Sequence, residues 1–336
     1  MQVINKEAHE AFDNNLHPGS WNISINARLG EEAVSGEVLA DIAQDRDDVI
    51  VLTADLMFSN RMSDFAKVHP NKFFNFGISE QNMVAAAAGL ATTGKKPYVA
   101  SFASFLALLC CEQIRTSVAY PKLPVRILAH HAGMTMGFYG TSHHALEDLS
   151  ILRSMADMTI ICPSDRTQIR AALESTVDYD GPIYFRLGRG REPLVYEDGI
   201  PEFKVGKAIK VREGNDMTII TNGLTLAASV DAADQLKEEG ISVQVLDMHT
   251  IKPFDEDAVK QAVKETGRIM TVEEHSVIGG IGSCVAEILA DNGLTCKFGR
   301  HGVYDEYALI GPPKDLYKHY QLDAKGVANK VKEFFK

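Results

Sequence analysis

Short runs of branched and apolar residues alternate with stretches of helical periodicity along almost the whole chain. This alternation constrains the fold more than any single motif. Residues 48–53 (DVIVLT), 97–101, 124–129, 158–162 and 182–186 are continuous apolar runs of strand length, as expected of strands buried on both faces. Helical stretches fall at 31–43, 104–119, 146–155 and 166–177. A second series starts at Met217, with strands at 217–221, 241–246, 268–272 and 295–298. Its helices lie at 224–239, at 255–266, after Gly282 and from Asp323. Between the two series, residues 188–206 (GRGREPLVYEDGIPEFKVG) are rich in Gly, Pro and charge, as a linker is. The pattern predicts an α/β chain of two doubly wound, mostly parallel-sheet domains at 28–187 and 207–336, joined by a linker at 188–206. Ligands are then expected outside the carboxyl ends of the strands. Residues 1–27, with the only tryptophan, Trp21, read as an arm lying over the surface or over a partner subunit.

At 336 residues the chain is long enough for two cores. Its net charge of −11, with no Lys/Arg stripe, argues against nucleic-acid or anionic-membrane partners and leaves small molecules and proteins. No apolar run reaches the roughly 18 residues that span a bilayer. The start, MQVINKEAHEAFDNN, is polar where a signal peptide has its apolar core, so the expected location is the cytoplasm. Five scattered cysteines form no C-x-x-C pair and read as free thiols.

One stretch stands out within the first series. Phe73-Phe74-Asn75-Phe76 is an aromatic extended run that stops at Gly77; Ser79 stands at a helix-cap position, and the Ala-rich segment to Ala91 reads as a buried helix. Glu80 sits in its first turn. A carboxylate there complements the helix dipole, yet an apolar setting also demands a specific partner for it.

Three further features converge on the same sheet edge. Phe102 and Phe105 share a helical face, which suits either core packing or one wall of a slot for a flat ring. The loop from His130 to His144 places His131, Tyr139 and His143 among Gly133, Gly137 and Gly140. Neutral-range histidines suit proton transfer to hydroxyls, and the glycines suit close backbone approach to a ligand; metal ligation is the rival use, but no acid or thiol falls at ligand spacing. Arg186, with Arg189 and Arg191 nearby, reads either as an anion clamp or as solvated linker charge. In the second series, Gly279-Gly280-Ile281-Gly282 opens a helix, for which a structural role is favoured over phosphate binding. The chain contains no phosphate-binding loop and no Gly-Asp-Gly metal–diphosphate signature.

Together, NFGISEQNMVAAAAGLA, SFASF, TSHHALEDLSILRSMADMTIICPSD, LDMHTIKPFD and TVEEHSVIGGIG resemble the transketolase family. The likeness is to its C-terminal section, a pyrimidine-binding domain plus a transketolase C-terminal domain, encoded separately in split two-subunit enzymes. It implies that Glu80 hydrogen-bonds the aminopyrimidine of thiamine diphosphate as a partly protonated carboxyl group, and that Phe102 and Phe105 pack on that ring. It further implies that His131 and His143 contact substrate hydroxyl and phosphate groups, and that Arg186 binds substrate phosphate. Diphosphate and Mg2+ are implied to be held mainly by an N-terminal-section subunit in an α2β2 heterotetramer, so that this chain alone is inactive. The implied reaction moves a two-carbon ketol unit from a ketose to an aldose. Rival readings are the E1 β subunit of a 2-oxo acid dehydrogenase and a non-catalytic regulatory half-subunit. Three positions depart from the family: Leu108 replaces a third aromatic, Tyr139 stands where an aspartate recognises a hydroxyl, and Glu32 stands where an arginine is usual, with Arg28 close by. The changes at Tyr139 and Glu32 affect the sugar end and leave the cofactor end intact, so the substrate is expected to differ from the ordinary pentose phosphates.

Overall fold

The computed structural model describes residues 33–200 and 202–335. The expected arm with Trp21, and the Arg28 and Glu32 positions, lie outside the described residues.

Six strands of the first series, β1 (Val49–Thr53), β2 (Phe73–Asn75), β3 (Lys96–Phe102), β4 (Arg126–His130), β5 (Thr159–Ile161) and β6 (Ile183–Arg186), form a parallel sheet. The runs read as two-face buried are so: β1, β4, β5 and β6 have no exposed position, because helices cover both faces. The second series forms a five-stranded sheet from β7 (Ile209–Arg212), β8 (Met217–Thr221), β9 (Val243–Asp247), β11 (Arg268–Ser276) and β12 (Lys297–Val303), in the order β12-β11-β8-β9-β7. Only β7 runs antiparallel in it. Two mostly parallel α/β domains result, as the alternation predicts.

The domains are interlocked rather than tethered. A further strand, β10 (Thr250–Lys252), leaves the second domain and pairs antiparallel with β5, completing a seven-stranded sheet ordered β10-β5-β6-β4-β3-β1-β2. The expected 188–206 linker is likewise partly built in. Arg189 is buried, and the Tyr196 ring packs in the second domain's core while its hydroxyl donates to Asp247 Oδ2 (2.7 Å). Asp165 of the first domain accepts the Val195 and Tyr196 amides (2.8 and 3.0 Å) and also caps the helix Arg166–Ser175. Among the described residues, no helix is long and apolar enough to cross a membrane, and all five cysteines are free.

Candidate active site

The chain turns from β2 into the helix Glu80–Ala91 through Gly77 at φ 68°, a left-handed conformation natural to glycine. Ser79 stands at the cap position but does not cap; its hydroxyl donates back to Phe76 O (2.8 Å). Met83, Val84, Ala87 and Ala88 sink the helix into the first core and carry Glu80 below the surface, where it is 8% exposed. Its side chain has one hydrogen-bond partner among the described residues, Ser101 Oγ, which donates to Oε1 at 3.4 Å. Ser101 precedes Phe102, so the carboxylate lies at the carboxyl end of β3 with capacity left for another partner. The neighbouring Cys110 thiol is pushed up to about 12 by burial, with the charge on Glu80 adding to the effect.

Phe102 and Phe105 lie with centroids 5.4 Å apart and planes tilted by 43°. The helix expected from residue 104 is widened: π turns at Phe105–Leu109 and Ile114–Ala119 flank a short α segment, Cys111–Gln113. Such widening re-aims side chains and recurs at functional sites. Leu108 is exposed and closes no slot.

The histidine loop reaches the same place. His131 lies 4.6 Å from the Phe102 ring, and His143 lies 5.6 Å from Phe102 and 5.2 Å from Phe105. Tyr139 stacks on His143 at 4.6 Å and 25°. Burial lowers the proton affinity of His131 well below its ordinary value, helped by neighbouring cationic groups, and also lowers that of His143. Both rings are therefore neutral near pH 7, able to donate or accept a proton. His131 has φ 60°, unusual for a residue with a Cβ, and its buried Nδ1 has no hydrogen-bond partner among the described residues. Nor is any group of three His, Cys, Asp or Glu side chains among those residues placed to hold a metal.

Two expectations need correction. Arg186 is engaged by the protein itself. Its Nε donates to both Asp148 oxygens (3.2 and 2.9 Å), its Nη2 to Ala145 O and Glu274 O (2.8 and 3.0 Å), and it is buried. A guanidinium so committed has little left for a substrate phosphate. Arg189 is the better anion site. It is 2% exposed, and its Nη1 donates to Thr135 O (3.3 Å) within the histidine loop, but its Nε and Nη2 have no partner among the described residues. Burial, with Arg191 adding repulsion, pulls its proton affinity down to about 10. A buried cation with orphaned donors demands an acceptor. The only signal in the sequence is its place in GRGR, which does not distinguish it from Arg186 or Arg191.

The loop glycines are the second correction: they admit protein rather than a ligand. A Cβ at Gly133 would lie 2.3 Å from Glu274 Cδ, one at Gly137 2.2 Å from Gly311 O, and one at Gly140 2.9 Å from Ile310 Cδ1. All three intruding groups belong to the second domain. At the Gly279–Gly282 turn, the Glu273 carboxylate accepts the Ile281 and Gly282 amides (2.8 and 3.0 Å). The chain thus fills that helix N-terminus with its own anion, in agreement with a structural role.

Two mostly parallel α/β domains thus bring a buried glutamate, an aromatic pair and a histidine loop together at one sheet edge. Residues 31–193 match the transketolase pyrimidine binding domain, and residues 206–327 match the transketolase C-terminal domain. The chain belongs to the transketolase family. It is 41% identical to a putative transketolase C-terminal section of Methanocaldococcus jannaschii over 90% of this chain and 95% of that one. It is 39% identical to one of the apulose-4-phosphate transketolase subunits of Phocaeicola vulgatus over 89% and 96% of the two chains. A solved structure described as a split gene transketolase, inactive beta4 tetramer, superposes with a TM-score of 0.83 at 40% identity, covering 91% of this chain and 98% of that one.

Proposed function

We propose that this chain is the C-terminal subunit of a split, thiamine diphosphate-dependent transketolase. In this reading it transfers a two-carbon ketol unit from an anionic ketose to an aldose when joined to an N-terminal-section subunit. The observation that carries the reading is the single cluster made by Glu80, Phe102, Phe105, His131 and His143 at the ends of β3 and β4. The pyrimidine end of the cofactor fits this set: Glu80 retains a free acceptor beside a tilted aromatic pair. When bound, thiamine diphosphate supplies the electron sink that allows a carbon–carbon bond next to a carbonyl to break. Glu80 would bond the ring through its free acceptor, and Phe102 and Phe105 would exclude water from the ring's face. His131 and His143, neutral and within one cluster, take and return protons at sugar hydroxyls. Arg189 holds the sugar's anionic group.

The diphosphate and Mg2+ fall to the partner in this reading, because the chain has neither a phosphate loop nor, among the described residues, a metal-ligating cluster. The relative described as an inactive beta4 tetramer agrees with a half-site assembled only with itself. An α2β2 assembly in the cytoplasm completes the proposal. Its test is co-expression with a transketolase N-terminal-section subunit, followed by a screen of ketose phosphates and aldoses with thiamine diphosphate and Mg2+. The expected result is ketol transfer by the pair and none by either chain alone. A stable complex that binds the cofactor but transfers no ketol unit overturns it.

A further inference from the structure

Every glycine of the histidine loop is pressed by the second domain, and the loop's backbone is bonded to it as well. The Met134 amide donates to Glu274 Oε1 (2.5 Å), Gly311 N donates to Gly137 O (3.1 Å), and Ser276 N donates to Leu146 O (2.9 Å). Arg186 clips the end of the loop to the strand that carries Glu274, donating to Ala145 O and Glu274 O at once. Within the loop, His131 keeps a left-handed backbone that is strained for a non-glycine residue and persists only where surroundings hold it. Gly133, two residues on, also at positive φ, packs directly on the Glu274 carboxyl group.

We infer that the second domain sets where the histidine loop sits, with Glu274 as the positioning residue, so that the sugar end of the site is built by both domains of this chain. Glu274 touches neither catalytic histidine; it acts through Met134 and Gly133, at the centre of the loop's attachment. Burial holds its carboxyl group up at about 7 against the pull of Arg186 and the Met134 amide, so a neutral amide is a close substitute for it. The kinetic part of the test rests on the transketolase reading; the structural part does not.

The test compares Glu274→Gln, which keeps an acceptor for Met134, with Glu274→Met, which keeps the bulk and removes the acceptor. Hydrogen exchange is measured on the full chain and kinetics on the reconstituted complex. In Glu274→Met the Met134 amide should exchange at least about tenfold faster, the loss expected for one buried hydrogen bond, while amides of Glu80–Ala91 stay as in the parent. Its kcat should fall at least about tenfold with KM for the ketose changed by less than about threefold, and Glu274→Gln should restore both. Should Glu274→Met fail to fold, Ile310→Gly at the exposed residue behind Gly140 tests the same point, through faster exchange over residues 137–144 and a lower kcat. Unchanged exchange at Met134, a looser loop with unchanged kcat, or a Gln variant as impaired as Met overturns the inference. A wild-type complex without ketol transfer sinks the functional proposal instead, and the exchange measurement then decides the positioning role alone.

Discussion

The two ends of the site are built differently. Glu80, Ser101, Phe102 and Phe105 come from one domain, the first three from a helix start and a strand end and Phe105 from the π turn that follows. The end proposed to take the sugar, with His131, Tyr139, His143 and Arg189, lies on irregular backbone that Glu274, Gly311 and Ile310 of the other domain contact. Rigid elements suit a cofactor that stays the same from turnover to turnover. A loop pressed between domains can change residue by residue without disturbing the ring site. The departure at Tyr139 fits that division, since Tyr139 stacks on His143 and lies outside the Glu80 contacts.

The largest effect expected is at the cofactor end. In the reconstituted complex, Glu80→Ala should lower kcat by about 10²–10⁴-fold for every donor alike, the range for loss of a proton-handling group, with the chain still folded by circular dichroism. A loss confined to one sugar would remove the distinction between the ends. At the sugar end, Arg189→Met should raise KM for a phosphorylated ketose by roughly tenfold or more and leave its unphosphorylated analogue almost unaffected, as for one charge-assisted hydrogen bond. Arg186→Met should do the opposite. It should cost about 3–5 kcal/mol of stability, read as a lowered Tm, because it strands the buried Asp148 carboxylate. If Arg186→Met folds normally and only KM rises, the roles of the two arginines are reversed. The smallest effect is expected at Tyr139, which stacks on His143 at the mouth of the site. Tyr139→Asp should change the ratio of kcat/KM between two aldose acceptors by about three- to tenfold, and a constant ratio removes Tyr139 from specificity.

Much of this was legible in the sequence, for physical reasons that differ along the chain. A parallel strand covered on both faces must be apolar at every position, so β1, β4 and β6 announce themselves. β10 does not: three residues of TIK carry no sign of which sheet they will join. Glu80 was readable because a carboxylate in an Ala-rich helix start conflicts with its surroundings. Arg186 and Arg189 were not separable, since both stand in the same basic stretch and only burial and partner atoms tell the satisfied guanidinium from the orphaned one.

The sequence by itself determined the two α/β domains, the awkward carboxylate at an apolar helix start, and the family likeness, because these depend on periodicity and on residues within one or two elements. Tertiary structure decided what lies across the domain boundary. It gave the first sheet a strand from the second domain, turned part of the linker into core, assigned the anion-seeking arginine, and filled the hollow beside each loop glycine with protein. Glycine in a sequence marks only that something approaches the backbone closely; what approaches is fixed by contacts more than a hundred residues apart, as between Gly133 and Glu274.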